Sequence, residues 1–319
     1  MSQILPHPKT VRTSLFGIDE VVSELAAVRK AWRSRQRRPV EAGGRELPSR
    51  DALTKLMTDL RGALFPMRLG PPELRQESED FYVGHTLDVV LHSLLSQVRL
   101  ELSYASRYHD HHDLDIEDKA VGIVRRFSAA LPGIRRLLDS DVIAAYRGDP
   151  AARSVDEVLL CYPGVLAMIH HRIAHQLYRL EVPLLARIVA EIAHSQTGID
   201  IHPGASIGLG FFIDHGTGVV IGETAVIGER VRIYQAVTLG AKRFPEDGSG
   251  QLQKGLPRHP VVEDDVVIYA GATVLGRVTL GKGATIGGNV WITCDVPAGS
   301  HVRQASSSYE ADAARTGGI

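Results

Sequence analysis

The 319-residue chain predicts an α+β protein, with an all-helical N-terminal domain over 1–198, a parallel β-helix of hexapeptide repeats over 199–297 and a tail over 298–319. Three observations carry this. Aliphatic residues return every sixth position, as Ile201, Ile207, Ile213, Val219, Ala225, Val231 and Val237, then as Val262, Ile268, Val274, Leu280, Ile286 and Ile292. A period of six fits neither a helix nor one alternating strand, and calls for a coil that turns a corner every six residues. Before residue 198 the apolar positions instead recur at three- and four-residue spacings, and Gly198 closes the last of these stretches just where the new period begins.

The helical stretches follow in order. Phe16, Val22, Leu25, Val28 and Trp32 form one stripe over 14–38, and the basic run Arg33, Arg35, Arg37 and Arg38 suits a solvated helix terminus. Pro39, Gly43, Gly44 and Pro48 mark a linker. Leu53, Leu56, Met57, Leu60 and Leu64 predict a helix over 51–64, ended by Pro66 and Gly70; Leu87, Leu91, Leu94, Leu95, Val98 and Leu102 predict the longest, over 79–105. Further helices are expected over 117–130, 133–146, 154–161, 164–180 and 183–196. The thirteen hexads make about four triangular coils, with step lost once, over 243–257. That interval holds Gly248, Gly250 and Gly255 and reads as a loop extruded from the solenoid, the kind of loop that covers a site.

Composition excludes several classes. A net charge of −1 leaves no electrostatic footprint for nucleic acid. Cys161 and Cys294 cannot build a disulfide framework or a multi-cysteine zinc site. The start of the chain lacks a signal pattern and no window holds 18 apolar residues, so a cytoplasmic protein without membrane contact is expected.

The histidines divide into three groups. His109, His111 and His112 lie in an acid-rich segment that reads as a polar turn. His171 and His175 have the spacing of a zinc-protease pair, but Arg172 stands where that motif needs glutamate, so they read as packing residues. Asp214-His215 sits inside the repeat, where the wall needs no polar residue, and Asp200-Ile201-His202 precedes it by fourteen positions. A carboxylate on one imidazole nitrogen leaves the other free to take a proton from an alcohol. Whether Asp200 and His215 do this or only stabilise the wall is open on spacing alone. Arg258-His259-Pro260 adds a guanidinium suited to a carboxylate ligand where the second series starts.

The series Asp200-Ile-His-Pro, Asp214-His-Gly-Thr-Gly, Gly222-Glu-Thr-Ala, Val237-Thr-Leu-Gly and Arg258-His-Pro, with Asp149-Pro-Ala upstream, resembles serine O-acetyltransferase in order and spacing over about 140–297. The resemblance implies a left-handed β-helix and transfer of acetyl from acetyl-CoA, as co-substrate, to the L-serine hydroxyl by direct attack, without a metal. It makes His215 the general base and Asp200 its orienting carboxylate. Asp149 and Asp214 then hold the serine amino group, and Arg258 and His259 its carboxylate. Ala241, after Gly240, donates its N–H to the oxyanion, and Ala270 and Gly271 touch the cofactor. It further implies a homotrimer or dimer of trimers, with sites where chains meet, and docking of the terminal Ile319 into O-acetylserine sulfhydrylase. Ala241 in place of a second glycine, and the long loop after it, point to a long-loop subgroup. The alternatives are a hexapeptide acetyltransferase acting on a sugar or another small hydroxy amino acid, a γ-class carbonic anhydrase using His202, His215 and His259, and a non-catalytic scaffold.

Overall fold

The computed structural model describes residues 16–36, 47–108, 115–243, 246, 248 and 250–304. His109, His111, His112, Arg37, Arg38 and Ile319 lie outside them. Two compact units are present, 1–46 and 47–319. The first holds α1 (Ile18–Arg35), in which no residue is buried: Val21, Leu25 and Val28 are half or more exposed. The stripe expected there is real, but it covers no core.

In the second unit the helices are α2 (Arg50–Leu64), α3 (Pro66–Leu69), α4 (Glu79–Tyr108), α5 (Ile116–Gly148), α6 (Val155–Cys161), α7 (Pro163–Arg179) and α8 (Pro183–Thr197). The two helices expected over 117–130 and 133–146 are one. Pro132 lies inside α5 and removes an N–H from its ladder. Phe127, Leu131, Ile134 and Leu138 are buried on either side of it, and that burial carries the helix through.

Among the described residues short strands follow: β1 (Asp200–Ile201), β2 (Ser206–Ile207), β3 (Phe212–Ile213), β4 (Val220–Ile221), β5 (Val226–Ile227), β6 (Arg232–Ile233), β7 (Thr238–Gly240), β8 (Val261–Val262), β9 (Val267–Ile268), β10 (Thr273–Leu275), β11 (Thr279–Leu280), β12 (Thr285–Ile286), β13 (Trp291–Ile292) and β14 (His301–Val302). They stack into three parallel sheets, the faces of a triangular coil. Face one is β1-β4-β7-β10-β13, face two β2-β5-β8-β11, and face three β3-β6-β9-β12-β14. The α+β class of helices followed by a parallel β-helix is what the chain forms. All thirteen hexad residues are buried.

Their register corrects one expectation. Ile201 pairs with Ile221, twenty positions on, whereas Ile221 pairs with Leu239, eighteen on. The first coil therefore carries two extra residues, between Ile213 and Val219. Val219, Ala225, Val231 and Val237 occupy buried corner positions two residues before the inward residues Ile221, Ile227, Ile233 and Leu239. The second interruption is the long one: Leu239 pairs with Val274, and the intervening loop leaves the coil between β7 and β8.

The helices join the coil through α8. Gly198, which ends α8 in the left-handed region (φ 68°), begins a column of left-handed residues at one corner: Gly218, Ala236, Gly271 and Asn289. Gly218 N donates to Gly198 O at 2.8 Å. Below the first coil a buried ion pair makes a second joint. Arg172 on α7 donates Nε and Nη2 to the two oxygens of Asp141 on α5, at 3.0 and 2.9 Å, and also to the carbonyls of Ile207 and Gly208. Asp141 accepts from Phe211 N at 3.0 Å. Burial pushes its carboxyl up to about 6, against the pull of Arg172.

His171 and His175 are packing residues, as expected: His171 is buried, and His175 Nδ1 lies 2.9 Å from Pro203 O. Burial lowers His171 well below its ordinary 6.5 and holds His170 at about 4. Groups depressed in the fold stabilise it above their unfolded value, and that contribution is lost as pH falls through the folded value. The melting temperature is therefore expected to fall between pH 6.5 and 4, and His171→Leu to flatten the fall, as calorimetry across that range would show.

Candidate active site

The two extra residues of the first coil make the turn Asp214-His215-Gly216-Thr217-Gly218, at the corner where face three passes to face one. His215 itself is left-handed (φ 60°), as are Gly216 and Gly218. A Cβ on Gly216 would stand 2.5 Å from Ile199 Cδ1, so only glycine fits beneath the turn. The backbone thus lifts the His215 side chain clear of the wall, 72% exposed, while Asp214 beside it is buried.

Around His215 one chain gathers a polar group. Asp214 Oδ1 lies 3.9 Å from His215 Nε2, and Asp214 Oδ2 accepts from Arg232 Nη2 at 2.6 Å. Arg232, from β6, also donates Nη1 to Gly148 O at 2.6 Å, which brings the end of α5 and the next residue, Asp149, to this corner. Asp149 Oδ2 accepts from the Tyr162 hydroxyl at 2.5 Å and Oδ1 from Ala151 N at 2.8 Å. The Tyr162 hydroxyl is the main reason the Asp149 carboxyl sits below its usual range, and the same bond pushes Tyr162 up to about 12. Ala270 and Gly271 lie on the same corner, two coils away, roughly 10 Å along the prism at ordinary strand spacing.

Arg258 and His259 stand at a different corner, where face one passes to face two. Arg258 Nη2 donates to Glu223 Oε2 at 2.6 Å, and Glu223 Oε1 accepts from the Tyr178 hydroxyl at 3.0 Å. Burial pushes the Glu223 carboxyl up, but the hydrogen bonds from Arg258 and Tyr178 prevail and hold it down. His259 Nδ1 accepts from Thr224 N at 3.0 Å, so a neutral ring carries its proton on Nε2, as a donor. Burial and the neighbouring Arg258 hold this imidazole at about 4. A Cβ on Gly222 would fall 2.0 Å from the His259 ring. Gly240 and Ala241 belong to this corner too, with Gly240 O accepting from Gly276 N at 3.0 Å.

Asp200 has other neighbours than His215. Its carboxylate, Glu191 and His194 each place a ligand atom within 4.8 Å of the others. Glu191 is already engaged there, with Oε1 2.9 Å from Arg187 Nη2 and Oε2 3.3 Å from His194 Nδ1. A cavity of 640 Å³ lined by Phe65, Arg68, Arg135 and Asp156 lies among the helices, at neither corner. Both cysteines are free and exposed.

Sequence reading missed Arg232, Tyr162 and Glu223. Arg232 occupies an outward strand position, where a charged residue looks like ordinary surface; only its meeting with Gly148 across the fold marks it. Glu223 stood within the Gly222-Glu-Thr-Ala motif and could have been singled out as the partner of Arg258.

The family described as bacterial transferase hexapeptide (six repeats) matches residues 259–294. These coils, together with the curated relatives that share them, define a hexapeptide-repeat acyltransferase. A serine acetyltransferase of Synechococcus elongatus is 59% identical over 262 residues, covering 81% of this chain and 82% of that protein. The structure of Entamoeba histolytica serine acetyltransferase 1 in complex with L-cysteine matches with a TM-score of 0.67 at 42% identity, over 78% of this chain and 86% of that one. The Neisseria gonorrhoeae serine acetyltransferase in complex with serine matches with a TM-score of 0.52 at 28% identity, over 80% and 97%. The chain belongs to the serine acetyltransferase family.

Proposed function

We propose that this chain transfers the acetyl group of acetyl-CoA to the hydroxyl of L-serine. The observation that carries the reading is the division of the polar residues. One corner offers an exposed imidazole with two carboxylates, and another a guanidinium with an imidazole N–H donor. A zwitterionic amino acid needs both sets, an acid pair for its ammonium and donors for its carboxylate. A sugar acceptor gives no use for Arg258. Because the two corners of one prism point apart, the complete site takes His215, Asp149 and Asp214 from one chain and Arg258 and His259 from a second. A homotrimer, alone or paired into a dimer of trimers, closes every such site.

In this reading His215 takes the serine hydroxyl proton as the oxygen attacks the thioester carbonyl. The Ala241 N–H steadies the oxyanion. The intermediate collapses, the carbon–sulfur bond breaks, and the imidazolium returns the proton to the leaving CoA thiolate. Ala270 and Gly271 lie along the path of the cofactor. Asp200 as orienting carboxylate rests on the resemblance alone; within the chain its carboxylate faces Glu191 and His194. Docking of Ile319 on the sulfhydrylase belongs to the same proposal. Among the described residues no helix is long and apolar enough to cross a membrane.

The test is an assay of CoA release with L-serine, with sugar acceptors and with a chelator. Release with serine alone, indifferent to chelation, is expected. Turnover of a sugar instead, or loss of activity on chelation, would count against the reading.

A further inference from the structure

Arg232 is the one cation that ties the acid pair to both parts of the fold among the contacts described above. Its guanidinium lies 5.0 Å from the Phe212 ring centroid and 4.7 Å from that of Tyr234. One terminal nitrogen grips Asp214 Oδ2 and the other the Gly148 carbonyl, both at 2.6 Å. A Cβ on Gly148 would stand 2.9 Å from Phe212, so the end of α5 is seated closely on the strand that faces it. These contacts leave the guanidinium little freedom, and Asp214 little freedom with it.

The free oxygen of Asp214 matters most. Asp214 Oδ1 is 3.9 Å from His215 Nε2, outside hydrogen-bond distance, while its other oxygen is held on Arg232. A small rotation of the carboxylate would close that gap and place an anion on the ring nitrogen, favouring the imidazolium and occupying the position through which a base must reach its substrate.

We infer that Arg232 is a positioning residue that holds Asp214 back from His215 Nε2 and so keeps that nitrogen open to the acceptor hydroxyl. Arginine suits this because its fork holds two acceptors at a fixed spacing while its plane stacks on an aromatic ring; lysine reaches only one acceptor at a time. The inference rests on His215 being the base.

Arg232→Gln is expected to lower kcat with serine by about tenfold, part of what a general base contributes, while the KM for acetyl-CoA stays as in the wild type. The deciding comparison adds Asp214→Asn. Without its charge the side chain no longer holds the imidazolium, so the double variant should regain the kcat of Asp214→Asn alone at saturating serine. Arg232→Lys should fall between wild type and Arg232→Gln. A kcat for Arg232→Gln within twofold of wild type would overturn the inference. So would a double variant slower than Asp214→Asn alone by the factor that Arg232→Gln costs the wild type, because Arg232 would then be a structural pin. If Arg232→Gln does not fold, Arg232→Lys with and without Asp214→Asn makes the same comparison. A wild-type protein inactive with serine would instead remove the reading of His215 on which the inference stands.

Discussion

His215→Ala is expected to lower acetyl transfer to serine by about 10²–10⁴-fold, the usual contribution of a positioned general base, with no loss of thermal stability. The side chain is 72% exposed and fills no space in the wall, so its removal leaves no cavity. The left-handed turn that carries it depends on Gly216 and Gly218 rather than on the imidazole. The position of Arg258 at another corner makes a sharper form of the same test. Neither His215→Ala nor Arg258→Ala chains should be active alone. After unfolding together and reassembly in equal amounts, about a quarter of the sites in a ring of three would draw an intact His215 from one chain and an intact Arg258 from the next. Activity near that fraction supports a site shared between chains. Absence of recovery would mean that each chain needs both residues for itself.

Asp141→Ala is expected to be the most destabilising single change at the joint between helices and coil, by about 3–5 kcal/mol, because it leaves the Arg172 charge buried without its carboxylate. The side chains of the pair are 2% and 4% exposed, so water cannot take the place of the lost partner. Phe211 N loses its acceptor as well. Replacing both members, as Asp141→Leu with Arg172→Met, should cost less than Asp141→Ala alone, since no charge is then left in the interior. Urea unfolding of the three proteins gives the ranking. An Asp141→Ala protein as stable as wild type would show that the buried Arg172 charge does not depend on Asp141.

How far the residues themselves announced this can be judged from particular positions. The six-residue period was legible because each coil repeats one demand, an inward aliphatic residue per face. The two-residue excess in the first coil was hidden by the same regularity. Val219, Ala225, Val231 and Val237 are buried corner residues, and they run in step beside the inward set Ile221, Ile227, Ile233 and Leu239. A shift from one set to the other leaves the aliphatic spacing unbroken. His215 could be singled out as polar in an apolar wall, but the reason for its exposure, a turn two residues too long, needed the strand register. Arg232 and Tyr162 were beyond reach because their significance lies in what they meet: Gly148 is 84 positions from Arg232, and Asp149 is 13 from Tyr162. The continuity of α5 through Pro132 is a case of tertiary burial overriding a local breaker.

The grip of Arg172 on the carbonyls of Ile207 and Gly208 bears on assembly in another sense. A solenoid of parallel coils ends in rows of unsatisfied backbone groups, and such a row invites another coil to add. At the first coil, side chains from α5 and α7 take up several of these groups, with Ser140 Oγ accepting from Gly210 N and Asp141 from Phe211 N. The helices thus act as an end-stop that fixes where the stack begins and denies that end to polymerisation. The trimer proposed above can then close without its chains also joining end to end into fibres.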